Sequence, residues 1–283
     1  MTDEKNRLST DEQKDVQREI LRHFAAFCDA HGLTYYLCYG TLIGAARHRG
    51  YIPWDDDIDV MMPRTDYERL MDIYPRENPN EAYRLISPYD KISRHSFVKV
   101  TDTRTEKRER GFDYKNGTLG VDIDVFPLDA APATEAGYRR LSKRLMRRYF
   151  FYSLAMMEPA GPKIHTRLAI TLTKLFFDKN RAQRKIDAII RRAGCEGGDY
   201  LCDVCCEYNI IKAPYLRAWF AGTAPLPFEG MTIAAPAGYD AVLRHRYGDY
   251  MQLPPEEQRI THHDNHCYLR EGAYIPLKEG QTK

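Results

Sequence analysis

Residues 35–62 read YYLCYGTLIGAARHRGYIPWDDDIDVMM and hold an apolar strand, a glycine turn, a short basic segment and an acidic run. From residue 57 the acidic run becomes an alternation of charged and apolar side chains. A strand over residues 57–61 places Asp57 and Asp59 on one face, about 7 Å apart, and Asp56 on the other. Two such carboxylates repel each other unless a cation lies between them. Mg²⁺ suits the position because it prefers oxygen ligands and leaves room for substrate phosphates. The alternative is an acidic strand end in solvent.

The pair Gly40-Thr41 lies between a predicted strand over residues 34–39 and a predicted helix over residues 42–47. Glycine lets backbone N–H groups approach a phosphate closely, and the helix N-terminus favours an anion. Most Gly-Thr pairs are ordinary turns. The carboxylates that follow shortly afterwards are the reason to consider a phosphate site here.

Residues 120–128, GVDIDVFPL, repeat the alternation and place Asp122 and Asp124 on one face of a second predicted strand. Beside the first strand, this strand would supply the third carboxylate that a metal site for phosphoryl transfer needs. The alternative is that one of the two aspartates caps a neighbouring turn.

The remaining pattern predicts a chain of alternating helices and strands. The first helix begins with a capping box of Ser9 and Glu12, shows apolar residues at helical spacing and stops at a glycine, with no chemistry of its own. The other predicted elements are a helix over residues 66–74, strands over residues 83–87 and 97–102, and an exposed charged loop over residues 103–115.

Composition limits the class of protein. The 283 residues are 43% hydrophobic with a net charge of +2, which gives no general attraction to nucleic acid. No apolar run reaches the roughly 20 residues of a membrane span, and the first residues are too polar for a signal peptide. Seven cysteines at irregular spacing indicate reduced thiols. These features predict a soluble intracellular protein.

Several blocks together resemble the LicD family of phosphocholine transferases, and the fukutin-type proteins are similar in the same segments. The blocks are YGTLIGAARHRGYIPWDDDIDV, FVKV, DVFPLD and YGDYMQLPPEEQR followed by two histidines. The resemblance implies an α+β fold of the nucleotidyltransferase-like type, with a mixed β-sheet flanked by helices and a mostly helical second half. It implies a catalytic core over residues 1–130, and a helical region with a C-terminal lid over residues 131–283.

The nucleotidyltransferase-like signature is a Gly-Gly or Gly-Ser turn, an Asp-x-Asp pair and a third strand carboxylate. Gly40-Thr41 stands at the turn and departs from serine while keeping a hydroxyl. Asp57 and Asp59 match the pair. Asp124 is the best match to the third acid, and Asp122 is the alternative.

The resemblance also implies an activity: transfer of phosphocholine from CDP-choline to a hydroxyl of a cell-surface glycan precursor, of the lipopolysaccharide or teichoic acid type, with release of CMP. The aspartates would hold Mg²⁺ or Mn²⁺. Arg47, Lys99 and Arg104 are candidates to bind the diphosphate, and Trp54 is a candidate to hold the choline ammonium. For the bases the alternative is ordinary surface charge, and for Trp54 it is packing that orients the aspartates.

Two other functions stay open at this stage. One is transfer of a different group, such as ribitol phosphate or glycerol phosphate, from a CDP donor. The other is a non-catalytic protein that binds a glycan or a partner. The mutually repelling Asp57, Asp59 and Asp124 argue against it, because a protein without catalysis has no need to keep them.

Residues 134–192 are rich in arginine and lysine, and their centre reads RRLSKRLMRRYFFYSL. A basic amphipathic helix can lie on an anionic membrane, which suits an enzyme with a lipid-linked acceptor. Such an enzyme would act in the cytoplasm, at the inner face of the membrane. The alternative is a solvated basic face on a core helix.

Two further groups could bind ligands. Cys202 and Cys205 have the spacing of zinc ligands, with Cys195, Cys206 or a histidine to complete a site, although buried free cysteine is the commoner interpretation. His262 and His263 are candidates to contact the acceptor or phosphate, and the alternative is a structural lid.

Overall fold

The computed structural model describes the chain except for residues 1–5, 110, 112, 113, 115, 160–162, 195–197, 206–212, 262–264 and 277–283. The first half contains α1 (Thr10–His31), β1 (Tyr36–Leu37), α2 (Tyr39–His48), β2 (Asp59–Pro63), α3 (Arg64–Glu77), β3 (Tyr83–Ile86), β4 (Val98–Asp102), β5 (Thr105–Glu109) and β6 (Asp122–Ala130). The second half contains α4 (Glu135–Met156), α5 (Ile164–Phe176), α6 (Lys179–Ala193), β7 (Tyr200–Cys202), β8 (Tyr215–Leu216), β9 (Thr223–Phe228), β10 (Met231–Pro236), α7 (Tyr239–Tyr247) and β11 (Asn265–Leu269).

A seven-stranded mixed sheet forms the centre of the fold. Five strands follow the order β1-β2-β6-β4-β3, while β7 pairs with β6 and β8 pairs with β7. β2 and β6 run parallel, and the other pairs are antiparallel. Two separate ribbons, β9–β10 and β5–β11, complete the strands of the described residues. The predicted α+β class with a mixed sheet is confirmed.

Helix α1 forms where its caps and apolar spacing predict it. The capping box of Ser9 and Glu12 starts the helix, and Gly32 ends it in the left-handed conformation. Its buried face packs over β4 and β6. One buried residue on that face is polar: Gln17 donates from Nε2 to the carbonyl oxygens of Asp56, at 3.1 Å, and Asp122, at 3.3 Å. The helix therefore joins the two acidic segments, which its apolar pattern did not indicate.

The prediction of an exposed loop over residues 103–115 is wrong for its first half. Residues of β5 pair with β11, in a register that sets Lys107 opposite Cys267. Thr105 is fully buried at the start of β5. The charged composition suggested a loop because the partner strand lies about 160 residues later, where a local pattern cannot show it.

The second half contains helices and strands that pack in two places. One face of α4 packs against α6 around a second apolar cluster made of Tyr138, Leu141, Leu145, Tyr149, Tyr152, Ile186, Ile189 and Ile190. Residues from β8 onward pack instead on the main core through Phe220, Phe228, Ile233, Val242 and Leu243. The division of the chain at residue 130 stays a prediction. None of the helices in the described ranges has the length and apolar character needed to cross a bilayer.

Candidate functional site

Three neighbouring strands bring a row of charged side chains together. Asp59 is the register partner of Asp124 between β2 and β6, and Asp124 is the register partner of Lys99 between β6 and β4. Partners in adjacent strands point to the same face of a sheet. The row Asp59–Asp124–Lys99 therefore crosses the sheet at one level, and Lys99 Nζ contacts the Asp124 carboxylate.

Asp59 is buried and Asp124 is partly buried, and the two carboxylates repel each other. Burial, with Asp57 and Asp124 nearby, raises the pKa of Asp59 well above its usual value. Burial also raises the pKa of Asp124 to about 6, although Lys99 opposes the shift. Asp57 is half-buried and lines the same cavity, just before β2 begins at Asp59. These carboxylates form a centre that favours a bound cation.

Asp122 lies on the same face of β6 and is held by two lysines. Its Oδ1 lies 3.3 Å from Lys99 Nζ and 3.1 Å from Lys107 Nζ. Burial alone would raise the pKa of Asp122, but the two ammonium groups hold it below its usual value. The second oxygen, Oδ2, is buried and has no hydrogen-bond partner within the described part of the chain. Asp122 therefore anchors the lysines of the site and keeps one oxygen available.

A cavity of about 560 Å³ opens beside this row. Its walls come from the sheet, from the acidic segment before β2, from α4 and from the β5–β11 ribbon. The charged lining residues are Asp56, Asp57, Asp59, Asp122, Asp124, Glu109, Arg94, Lys99 and Lys107. Six carboxylates against three cations give the cavity a net negative charge, and Lys107 also pairs with Glu109 at 3.4 Å.

The sequence did not lead us to predict three of these residues: Lys107, Glu109 and Arg94. The alternation of Thr105, Lys107 and Glu109 was the available signal.

The pair Gly40-Thr41 lies in the first turn of α2 and contacts the acidic segment. Thr41 Oγ1 accepts a hydrogen bond of 2.8 Å from the backbone N–H of Asp59. A Cβ atom added at Gly40 would lie 2.5 Å from Asp55 Oδ2, so a side chain at this position would displace the Asp55 carboxylate. The pair thus positions the strand that carries Asp59, and contact with a phosphate stays a prediction.

Replacing Gly40 by alanine should therefore displace Asp55 and the acidic segment. We expect a marked fall in transferase activity with little loss in the free energy of unfolding, because the end of the Asp55 side chain can rotate away. Urea denaturation and an activity assay would measure both. Gly222→Ala is a matched control because its new Cβ would meet only Ala237 at 4.0 Å. Equal behaviour of the two variants would contradict the role of Gly40.

Asp56 faces the cavity, and the expectation that it points away is wrong. The strand begins at Asp59, so residues 55–57 do not alternate as strand residues do. Asp56 is buried and lines the cavity, with Asn265 Nδ2 at 3.5 Å from its Oδ2.

Besides Gly40 and Thr41, three other predicted binding residues lie outside the lining of this cavity. Arg47 donates from NH1 to the carbonyl oxygen of Tyr250 at 2.6 Å. Arg104 makes two hydrogen bonds to the buried carboxylate of Asp102, at 3.0 and 2.6 Å. Trp54 is half-buried, and the guanidinium of Arg259 lies 5.7 Å from its ring. Their roles in binding substrate stay predictions.

The remaining predicted ligands are only partly described. His262 and His263 lie outside the described residues, as do Cys195 and Cys206. Cys202 and Cys205 are buried, and a zinc site at these residues stays a prediction.

The acidic row fits a divalent cation by its chemistry. Asp59 and Asp124 are side by side, Asp57 is adjacent, and all three offer the oxygen ligands that Mg²⁺ and Mn²⁺ prefer. Within the described ranges, no three acidic, histidine or cysteine side chains already surround one point as a completed ligand set. The Lys99 ammonium explains part of this, since it contacts Asp124 where an ion would compete for the same oxygens.

Comparison with known proteins agrees with this geometry. The family model described as "LicD/FKTN/FKRP, nucleotidyltransferase domain" matches residues 32–136, which include the whole acidic row. The lipopolysaccharide cholinephosphotransferase LicD of Haemophilus influenzae is 32% identical over 272 residues, covering 93% of this chain and 99% of that protein. The chain belongs to the LicD family.

A shorter similarity reaches the animal members of the family. The ribitol 5-phosphate transferases FKRP of mouse and human are 46% identical to this chain over 43 residues, which are 15% of this chain and 9% of theirs. The resemblance seen in the sequence blocks is confirmed. As a member of the LicD family, the chain is an enzyme of the transferase class.

Proposed function

We propose that this enzyme transfers phosphocholine from CDP-choline to a hydroxyl group of a cell-surface glycan precursor and releases CMP. The observation that carries the proposal is the row Asp59–Asp124–Lys99 across three strands, in a cavity large enough for part of a nucleotide donor. Such a row supports phosphoryl transfer, which needs positioning and charge neutralisation more than covalent chemistry from the protein. Similarity over the full length to a cholinephosphotransferase supports the choline donor.

In the proposed reaction an acceptor oxygen forms a bond to the phosphorus that carries choline. The bond from this phosphorus to the CMP oxygen breaks, CMP leaves with the electron pair, and the proton of the acceptor hydroxyl is released to water. Asp57, Asp59 and Asp124 would hold Mg²⁺ or Mn²⁺, which when bound neutralises phosphate charge and lowers the pKa of the acceptor hydroxyl. Lys99 and Lys107, oriented by Asp122, would stabilise the charge on the diphosphate. Direct metal ligation by Asp122 stays the alternative.

The proposed acceptor is a glycan of the lipopolysaccharide type, in line with the name of the Haemophilus influenzae relative. A teichoic acid type of glycan has the same hydroxyl chemistry and is the second choice. Because CDP-activated donors are cytoplasmic metabolites, we place the reaction on the cytoplasmic side of the membrane.

Transfer of ribitol phosphate is the second candidate function, since the FKRP proteins match 43 residues of the chain. A donor panel separates the two. CMP release would be measured with CDP-choline, CDP-ribitol and CDP-glycerol, using an envelope glycan extract as acceptor. We expect CDP-choline to give the highest kcat/KM by at least about tenfold, which is about 1.4 kcal/mol of discrimination. A preference for CDP-ribitol or CDP-glycerol would overturn the choline assignment.

A contact with an anionic membrane is also part of the proposal. Residues 134–192 carry 15 lysine and arginine residues against 4 acidic ones, in a chain whose net charge is only +2. Helix α5 packs on α4 and buries mainly Ile170. It exposes 48–88% of five apolar side chains that recur along one stripe: Ile164, Leu168, Leu172, Leu175 and Phe176. An apolar stripe within a basic region is typical of helices that lie on anionic lipid.

The membrane contact predicts sedimentation of the protein with anionic vesicles at low salt. Leu168→Asp combined with Leu175→Asp should weaken this binding by about tenfold or more, because two apolar insertions are lost. Leu253→Asp, an exposed leucine outside α5, is the matched control. If the protein does not sediment with vesicles, the membrane contact is wrong. Concentration-dependent dimers that the same double variant abolishes would assign the stripe to a second copy of the chain.

A further inference from the structure

One face of β6 carries three different chemical environments in sequence order. Asp122 contacts two lysines, Asp124 belongs to the carboxylate row, and Phe126 contacts other aromatic rings. Along one face of a strand, each side chain lies about 7 Å from the next one, two residues further on. The strand therefore presents cations, carboxylates and rings at regular steps along the same cavity.

The aromatic end of the cavity is a continuous group of rings. The Phe126 ring lies 4.4 Å from the Phe97 ring and 5.1 Å from the Tyr39 ring, centroid to centroid. Phe97 precedes Lys99 by two residues, so it flanks Phe126 as Lys99 flanks Asp124.

Helix α4 adds two more rings to this end. Tyr149 and Tyr152 are three residues apart on the buried face of the helix, and both line the cavity. The hydroxyl of Tyr152 donates to the carbonyl oxygen of His95 at 3.1 Å, and the ring of His95 lies 5.0 Å from the ring of Phe97. The α4 tyrosines thus line the same cavity as the rings contributed by the sheet.

The charges around these rings are mixed, since Lys99 Nζ lies 5.6 Å from the centre of the Phe97 ring while carboxylates outnumber cations in the cavity lining. Burial, together with the nearby Lys99, lowers the pKa of His95 to about 3, so its ring is uncharged at neutral pH. Glu109 and the aspartates leave the lining negative. The faces of aromatic rings attract cations, and recognition of quaternary ammonium groups uses this attraction. A two-carbon linker between phosphate and ammonium can bridge the step from the carboxylate row to the rings.

Tyr39 is the least suitable of these rings to hold the cation. The Arg246 guanidinium lies 4.5 Å from its ring centroid, and its hydroxyl contacts the Asp203 carboxylate. Its backbone is held in the left-handed region at φ 47°, which is unusual for a tyrosine. Tyr39 therefore closes the edge of the ring cluster.

We propose that Phe97 and Phe126, with Tyr149 and Tyr152 of the same cavity lining, bind the quaternary ammonium of the donor while its phosphate lies at the Asp59–Asp124 row. This inference rests on the proposed function, because it assigns the choline end of that donor to one end of the cavity. It replaces Trp54, which lies outside the cavity lining, as the aromatic contact.

The test compares binding of phosphocholine with binding of phospho-3,3-dimethylbutanol, its uncharged analogue of the same shape, by calorimetry in Mg²⁺ buffer. The full-length protein should prefer phosphocholine by about tenfold, the size of a desolvated cation–π contact. In Tyr152→Leu and Phe126→Leu this preference should fall below about threefold, whereas the uncharged analogue should bind nearly as before. Tyr152→Phe keeps the ring and should keep the preference.

Tyr138→Leu is the matched control, since Tyr138 is a buried tyrosine of the same helix that does not line this cavity. Tyr152→Leu carries the test even if Phe126→Leu does not fold. If folded Tyr152→Leu and Phe126→Leu still prefer phosphocholine over the uncharged analogue, and the unaltered enzyme turns over CDP-choline, the inference is wrong. Absence of CDP-choline turnover in the unaltered enzyme would overturn the proposed function itself.

Discussion

Asp59→Asn should slow CMP release from CDP-choline by about a thousandfold, equivalent to about 4 kcal/mol of lost transition-state stabilisation. The carboxylate lies beside Asp124 in the acidic row, and the amide that replaces it is a much poorer ligand for a divalent cation. The variant should stay folded. Its buried carboxylate lies among other acids, so removing the charge relieves repulsion within the metal-free protein.

The rate of CMP release and the midpoint of thermal unfolding would be measured together for this variant. Asp72→Asn makes the same chemical change at an exposed carboxylate on α3 and serves as control. Asp57→Ala should also abolish CMP release without unfolding the protein. Full activity in Asp59→Asn would place the catalytic centre elsewhere, and a large loss of stability would show that the carboxylate has a mainly structural role.

Lys99→Met should lower the free energy of unfolding by about 3 kcal/mol and also abolish transfer. The lysine is buried between Asp122 and Asp124, and its removal leaves buried negative charge without its partner. Breaking a buried ion pair from one side typically destabilises by about 3–5 kcal/mol. We expect the lower end of this range for the loss in the free energy of unfolding, because Lys107 still neutralises Asp122.

A second variant separates the two effects of Lys99. In Lys99→Met/Asp124→Asn the unpaired charge is removed as well, so stability should return while activity stays lost. Urea denaturation and CMP release would be measured for both proteins, with Lys91→Met as a control at an exposed lysine. Because Asp124 is itself a proposed metal ligand, activity that returned together with stability would contradict direct roles of both Lys99 and Asp124. Stability that did not return would contradict the ion-pair explanation.

Much of the carboxylate row could be predicted from the sequence because the alternation in β2 and β6 is local. The period of two placed Asp122 and Asp124 on one face, and the structure confirms this through their shared contact with Lys99. The same period failed for Asp56, because the strand begins only at Asp59 and the residues before it follow an irregular path. A local pattern identifies the face of a strand better than its first residue.

The other cavity residues depend on pairings between distant parts of the chain. Lys107 reaches the cavity because β5 pairs with β11, and Gln17 because α1 crosses β6. Phe97 and Phe126 resemble ordinary core residues until the register of β4 and β6 places them beside the acids. None of these long-range pairings has a signature within a short stretch of sequence.

The direction of a long basic side chain is equally hard to predict. Arg104 turns back onto Asp102, two residues earlier, and Arg47 reaches a carbonyl group about 200 residues away. Each makes hydrogen bonds to protein oxygens, so the type of residue alone does not assign it to a phosphate site.

The measurement that tests the central claim most directly is the metal dependence of CMP release. The protein would be treated with EDTA, freed of the chelator, and assayed with CDP-choline and an envelope glycan extract at increasing Mg²⁺ or Mn²⁺. We expect no release without the metal, recovery on its addition, and no recovery in Asp59→Asn. Full CMP release by the metal-free protein would contradict a metal site at Asp57, Asp59 and Asp124.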